Sequence, residues 1–73
     1  MSALSNGAFR HKRYINGVRV LVKAEMNADG ITHESFIVRF LLPGGKVDKV
    51  VDGINYYWQA FNEAKRMIDS GAV

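Results

Sequence analysis

Cysteine is absent. No disulfide can staple this chain, and no thiolate cage can hold a metal in it. The absence also suits a reducing compartment. Proline occurs once, at Pro43, and there is no internal repeat, low-complexity tract or Pro-rich linker. No stretch approaches the roughly 20 apolar residues needed to span a bilayer. The opening residues Met1-Ser2-Ala3-Leu4-Ser5-Asn6-Gly7 lack the cationic and apolar regions of a secretory signal. Residues 1–7 read as a flexible tail, and the expected compartment is the cytoplasm. Acidic residues are missing from the first third of the chain. Residues 1–24 carry five Lys/Arg and no Asp/Glu, whereas residues 25–73 carry the other five Lys/Arg and all seven Asp/Glu. That asymmetry points to an acidic partner: nucleic acid, an acidic protein groove or a membrane, of which the membrane is not expected here.

Against these absences stand 73 residues that are 48% hydrophobic and 11% aromatic, the composition of a folded domain. A chain this short buries only about 60% of its unfolded surface. Its aromatics must therefore supply much of the core, either alone or in a homodimer. Residues 8–73 read as one domain.

Asn16-Gly17 is the strongest local signal. Both residues tolerate the positive φ of a type I′ turn, whose twist matches that of antiparallel strands. The flanking runs predict strands near 8–15 and 18–26. In the second run Val18, Val20, Val22, Ala24 and Met26 share one face, and Arg19, Leu21, Lys23 and Glu25 the other. Asn27-Ala28-Asp29-Gly30 predicts another turn. A third strand follows over about 31–42, apolar on both faces at its centre and ended by Pro43-Gly44-Gly45. Residues 46–51 form a short fourth strand with Val47 and Val51 on one side and Lys46, Asp48 and Val50 on the other. From Asp52 the period becomes helical. Ile54, Tyr57, Trp58, Phe61, Ala64 and Ile68 recur at three- and four-residue spacing and predict a helix over about 54–70. Asp52 or Asn55 would cap it, and Gly71 would end it. The fold class is therefore α+β: a four-stranded antiparallel meander, ββββα, with one C-terminal helix packed on one face. The other face is left open for a partner or a second copy.

The candidate binding residues lie in and around the first hairpin. By alternation Arg10, Lys12 and Tyr14 point one way, and Phe9, His11, Arg13 and Ile15 the other. With Arg13, Arg19 and Lys23 they form a basic surface that can grip a carboxylate-rich protein groove. It can equally contact phosphates while Tyr14 stacks on a base. A solvated sheet edge is the plainer account. Leu21, Ile37 and Leu41 fall on the otherwise wet face and form a patch for docking or dimerisation. Tyr57 and Trp58 are expected in the core, and Tyr56 falls off the apolar stripe.

Signs of catalysis or metal binding are weak. Asp29, His33 and Ser35 do not share one face, no oxyanion-hole motif accompanies them, and two histidines are too few for a zinc site. Asp48 and Asp52 are explained by solvation and capping, not acid–base work. Pro43-Gly44-Gly45-Lys46 lacks phosphate-loop spacing and is not followed by a helix. An enzyme is not expected, and neither is a cofactor.

The four-strand-plus-helix order is similar to the fold of single-stranded-DNA-binding transcriptional coactivators and Whirly-type proteins. Three strands with the helix resemble the arm-type DNA-binding domains of phage integrases. Both resemblances imply nucleic-acid contact through strand-borne Arg, Lys and aromatic residues. In length, composition and architecture the chain also resembles small phage-encoded host-takeover proteins. That resemblance implies a non-enzymatic viral protein of the host cytoplasm that binds host RNA polymerase and regulates or inhibits transcription. The contact residues expected on either reading are Arg10, Lys12, Arg13, Tyr14, Arg19 and Lys23, with Leu21, Ile37 and Leu41.

Overall fold

Asn16 and Gly17 take φ values of 50° and 82°, and this two-residue turn sets the register of everything after it. In the computed structural model, which describes residues 9–26 and 33–73, it joins β1 (His11–Ile15) to β2 (Val18–Met26). Strand β3 (His33–Leu42), strand β4 (Gly45–Asp52) and helix α1 (Tyr57–Asp69) follow. The strands form one antiparallel sheet in the order β1-β2-β3-β4, so the chain is an α+β meander with a C-terminal helix. The expected tail over 1–7, the Asn27–Gly30 turn and residues 31 and 32 of the expected third strand lie outside the described residues.

Register divides the side chains between two faces. Val20 stands opposite Phe40, Val22 opposite Val38 and Ala24 opposite Phe36. Across the next ladder Phe36 meets Val51, and Phe40 meets Val47. These residues face α1, which contributes Ala60, Phe61 and Ala64 to the same buried cluster. Val20, Val22, Val38 and Phe40 are fully buried and Phe36 nearly so. Burying each such side chain contributes about 1.5–3 kcal/mol. The two alanines let the helix axis approach the sheet.

Three details differ from the sequence expectation. Strand β1 begins at His11; residue 8 of the expected strand lies outside the described residues, and residues 9 and 10 precede the strand, so period-2 alternation does not extend back to Phe9. The helix begins at Tyr57, not residue 54, and neither Asp52 nor Asn55 caps it. Instead the carboxamide Oε1 of Gln59 accepts from the backbone N–H groups of Asn55 and Tyr56 at 2.8 and 2.9 Å. This is the reciprocal arm of a capping box, and it serves donors that would otherwise be orphaned. Trp58 is 56% exposed and not part of the core. With Tyr57, Ala60, Phe61 and Ala64 turned inward, Trp58 lies about 100° round the helix from Tyr57. Its ring stacks on Tyr56, centroids 6.1 Å apart.

The C-terminal end follows the sequence more closely. Gly71, at φ 78°, lets Ala72 N–H donate to Met67 C=O at 2.9 Å and Gly71 N–H donate to Ile68 C=O at 3.2 Å. That pair of bonds closes a Schellman motif.

Candidate functional site

The face opposite α1 is built by register. Tyr14, Arg19, Leu41 and Lys46 form one row across the four strands, and Lys12, Leu21, Arg39 and Asp48 form the next. Lys23, Ile37 and Val50 continue the third row. Leu21, Ile37 and Leu41 therefore do share this face, each only half-buried. They do not merge into one apolar patch, because Arg19, Arg39 and Lys23 stand directly opposite them on the neighbouring strand. The surface is a checkerboard of aliphatic and cationic side chains.

The centre of this checkerboard is internally satisfied. Arg39 donates to both carboxylate oxygens of Asp48, Nε to Oδ1 at 2.8 Å and an Nη to Oδ2 at 2.9 Å, the two-pronged geometry that makes Arg–carboxylate pairs strong. These hydrogen bonds from Arg39 hold the Asp48 carboxyl below the usual carboxylate range. The pairing raises the Arg39 guanidinium reciprocally. Above the pair lies Phe9, its ring centroid 4.5 Å from the Arg39 guanidinium carbon and 5.2 Å from Lys23 Nζ. Alternation placed Phe9 on the helix side. It reaches the open face because residues 9 and 10 precede the strand and are not bound by its pleat. A ring in reach of two cations gains from its negative π-face.

The hairpin end is different. Tyr14 is 74% exposed, flanked by Lys12 on its own strand and by Arg19 directly opposite. Among the described residues neither cation has a carboxylate partner, whereas Lys46, at the far end of the row on β4, acts on Asp48 and helps favour its charge. Lys12, Arg13, Tyr14 and Arg19 line a small depression of about 150 Å³. Arg10 is exposed just ahead of β1.

The helix side takes the remaining hairpin residues. The His11 ring stacks on Tyr57 with centroids 3.7 Å apart. The Arg13 guanidinium lies 5.0 Å from the centroid of Phe61. Asn16 Nδ2 donates to Asp69 Oδ1 at 2.8 Å, and Lys65 Nζ donates to Asp69 Oδ2 at 2.9 Å. The Lys65 hydrogen bond, with a smaller contribution from Asn16, holds Asp69 below its ordinary value. The sequence-level set is thus divided. Lys12, Tyr14, Arg19, Lys23, Leu21, Ile37 and Leu41 share the open face, while Arg13 is built into the contact between β1 and α1. Alternation already grouped Arg39 with Ile37 and Leu41, but sequence reasoning missed its pairing with Asp48 and the arrival of Phe9 on the open face. The Arg39–Asp48 spacing around Pro43-Gly44 was the available signal, since a two-residue turn puts those positions opposite each other.

Among the described residues no three His, Asp or Glu side chains come together as metal ligands. No described helix is long and apolar enough to cross a membrane. No protein-family model, curated protein or solved structure matches the chain.

Proposed function

We propose that this chain is a non-enzymatic binding protein that docks through its open sheet face and hairpin end on an acidic protein surface. The observation that carries the reading is the unpaired cationic group around Tyr14. Lys12 and Arg19, without a carboxylate partner among the described residues, flank an aromatic ring left 74% exposed, whereas Arg39 on the same face is already neutralised by Asp48. Exposed Tyr beside Arg is a composition favoured at interface centres, and unpaired cations accelerate encounter with an acidic partner. The resemblance to phage takeover proteins supplies the class of partner: host RNA polymerase in the host cytoplasm, regulated or inhibited by occupation of its surface.

Direct DNA or RNA binding by the same hairpin is the second reading, favoured by the exposed Tyr14 ring between two cations. Glu25, Asp48 and Asp52 share the face and interrupt any continuous track for phosphates, which favours the protein partner.

The test is a tagged pull-down from bacterial lysate, with and without nuclease, comparing the natural chain with a Lys12→Glu/Arg19→Glu variant. A nuclease-resistant partner that the variant loses supports docking. A partner held equally by the variant overturns it, and a pull-down emptied by nuclease transfers the assignment to nucleic acid.

A further inference from the structure

The contacts between β1 and α1 occur in matched order: His11 with Tyr57, Arg13 with Phe61 and Asn16 with Asp69. The helix therefore runs alongside the edge strand in the same direction. Twelve helical residues advance about 18 Å and five strand residues about 17 Å, so the two elements stay side by side along the whole strand.

Strand β1 is at the edge of the sheet. Ile15 and Val18 close the two-residue turn and exchange backbone hydrogen bonds, and such pairs alternate along an antiparallel ladder. The N–H and C=O groups of Lys12 and Tyr14 consequently point away from β2, out of the sheet. A row of unpaired backbone groups is a template for another strand.

The side-chain spaces flanking that row both carry cations, with Arg13 and Lys12 free of carboxylates among the described residues and Lys65 shared with Asp69. On the helix side Arg13, Asn62, Phe61 and Lys65 help line a groove of about 310 Å³. On the open side Lys12, Tyr14 and Arg19, together with Arg13 at the edge, line the smaller depression. Neither lining contains a carboxylate among the described residues. Trp58, Asn62 and Lys65 lie at positions i, i+4 and i+7 on one flank of α1, so the exposed Trp58 stands at the far end of the same wall.

We propose that the groove between the free edge of β1 and α1 takes an extended acidic peptide of the partner, which adds as a fifth strand. Its backbone pairs with Lys12 and Tyr14, and its alternate side chains enter the two basic spaces, so carboxylates are favoured on both faces of the added strand. A second copy of β1 is excluded by the same charges, since self-pairing would oppose its own cations. This inference rests on the acidic-protein reading above and specifies how the partner is held.

The test uses a fluorescein-labelled peptide of roughly eight residues of Glu, Thr and Val, long enough to span β1, followed by anisotropy. Two further peptides carry N-methyl groups on one or the other alternating set of residues. Strand addition requires that one N-methylated peptide bind like the parent and the other at least about tenfold more weakly, because only one set faces β1. Lys12→Glu/Arg19→Glu, both exposed and without a carboxylate partner among the described residues, should also weaken the parent peptide about tenfold while the circular dichroism spectrum is unchanged. Equal binding of both N-methylated peptides overturns strand addition but leaves acidic docking intact. Failure of the parent peptide to bind, with a nuclease-resistant partner still captured, does the same. Tighter binding of a single-stranded oligonucleotide than of the peptide overturns both.

Discussion

Phe61→Ala and Trp58→Ala remove two aromatic rings from the same helix, three residues apart, and should differ sharply in cost. Phe61 is 6% exposed within the central cluster and lies beneath Arg13. Truncating it removes the transfer contribution of a buried aromatic and leaves a cavity, about 3–5 kcal/mol in all. Trp58 is 56% exposed. The covered part of its ring system is about 100 Å², so at ~25 cal/mol per Å² the loss cannot exceed about 2.5 kcal/mol, and realistic unfolded states bring it nearer 1. A domain of this size has a total stability of about 4–11 kcal/mol. Phe61→Ala should therefore unfold the chain or leave it marginal, while Trp58→Ala should melt about 4–8 °C below the natural protein. The assay is urea unfolding followed by far-ultraviolet circular dichroism. With m near ~1 kcal/mol per M at this length, the midpoint should fall by about 3 M or more for Phe61→Ala and by about 1 M for Trp58→Ala. Phe61→Leu provides a milder variant if the alanine chain does not fold. A Trp58→Ala variant as destabilised as Phe61→Ala would refute the placement of α1 on the sheet.

Lys12→Glu/Arg19→Glu should change stability by less than about 0.5 kcal/mol, because both residues lack an internal partner, yet it should abolish partner capture; a melting curve run beside the pull-down checks both. Gly17→Ala should cost about 1–2 kcal/mol, since φ at this position is 82° and a Cβ is penalised in the left-handed region even though nothing crowds it; thermal unfolding reads the shift. Acidification should weaken the fold below about pH 4. Asp48 and Asp69 have depressed folded-state pKa values, so their contribution is present above the unfolded carboxylate value and disappears as pH falls through the folded one. Replacing Arg39 and Lys65 by Met should flatten that acid limb in urea midpoints measured against pH.

The element order, the Asn16-Gly17 turn, both faces of β2 and the Gly71 stop were legible because each depends on short-range rules: φ at a turn, period 2 in a strand, a left-handed residue after a helix. The helix start was not legible. Gln59, three residues after Tyr56, outcompetes the more obvious caps at Asp52 and Asn55. The position of Phe9 was not legible either, because alternation applies only while the backbone is held in the ladder. The candidate site was half visible. Lys12, Tyr14 and Arg19 are grouped by hairpin register alone, but the separation of Arg13 from them depends on where α1 lies.

The sequence by itself determined that this protein is a Cys-free meander with a basic first hairpin and one amphipathic helix. Charge asymmetry, period and turn chemistry are properties of neighbouring residues. Only the tertiary structure decided which cations remain available. Docking of α1 along β1 engages His11, Arg13 and Asn16, and pairing of β3 with β4 neutralises Arg39 through Asp48. Among the described residues Lys12, Arg19 and the outward backbone of β1 are left without a partner. The docking of α1 on β1 depends on contacts between residues distant in sequence, which local pattern does not encode, whereas the Arg39–Asp48 pair follows from the short turn between β3 and β4.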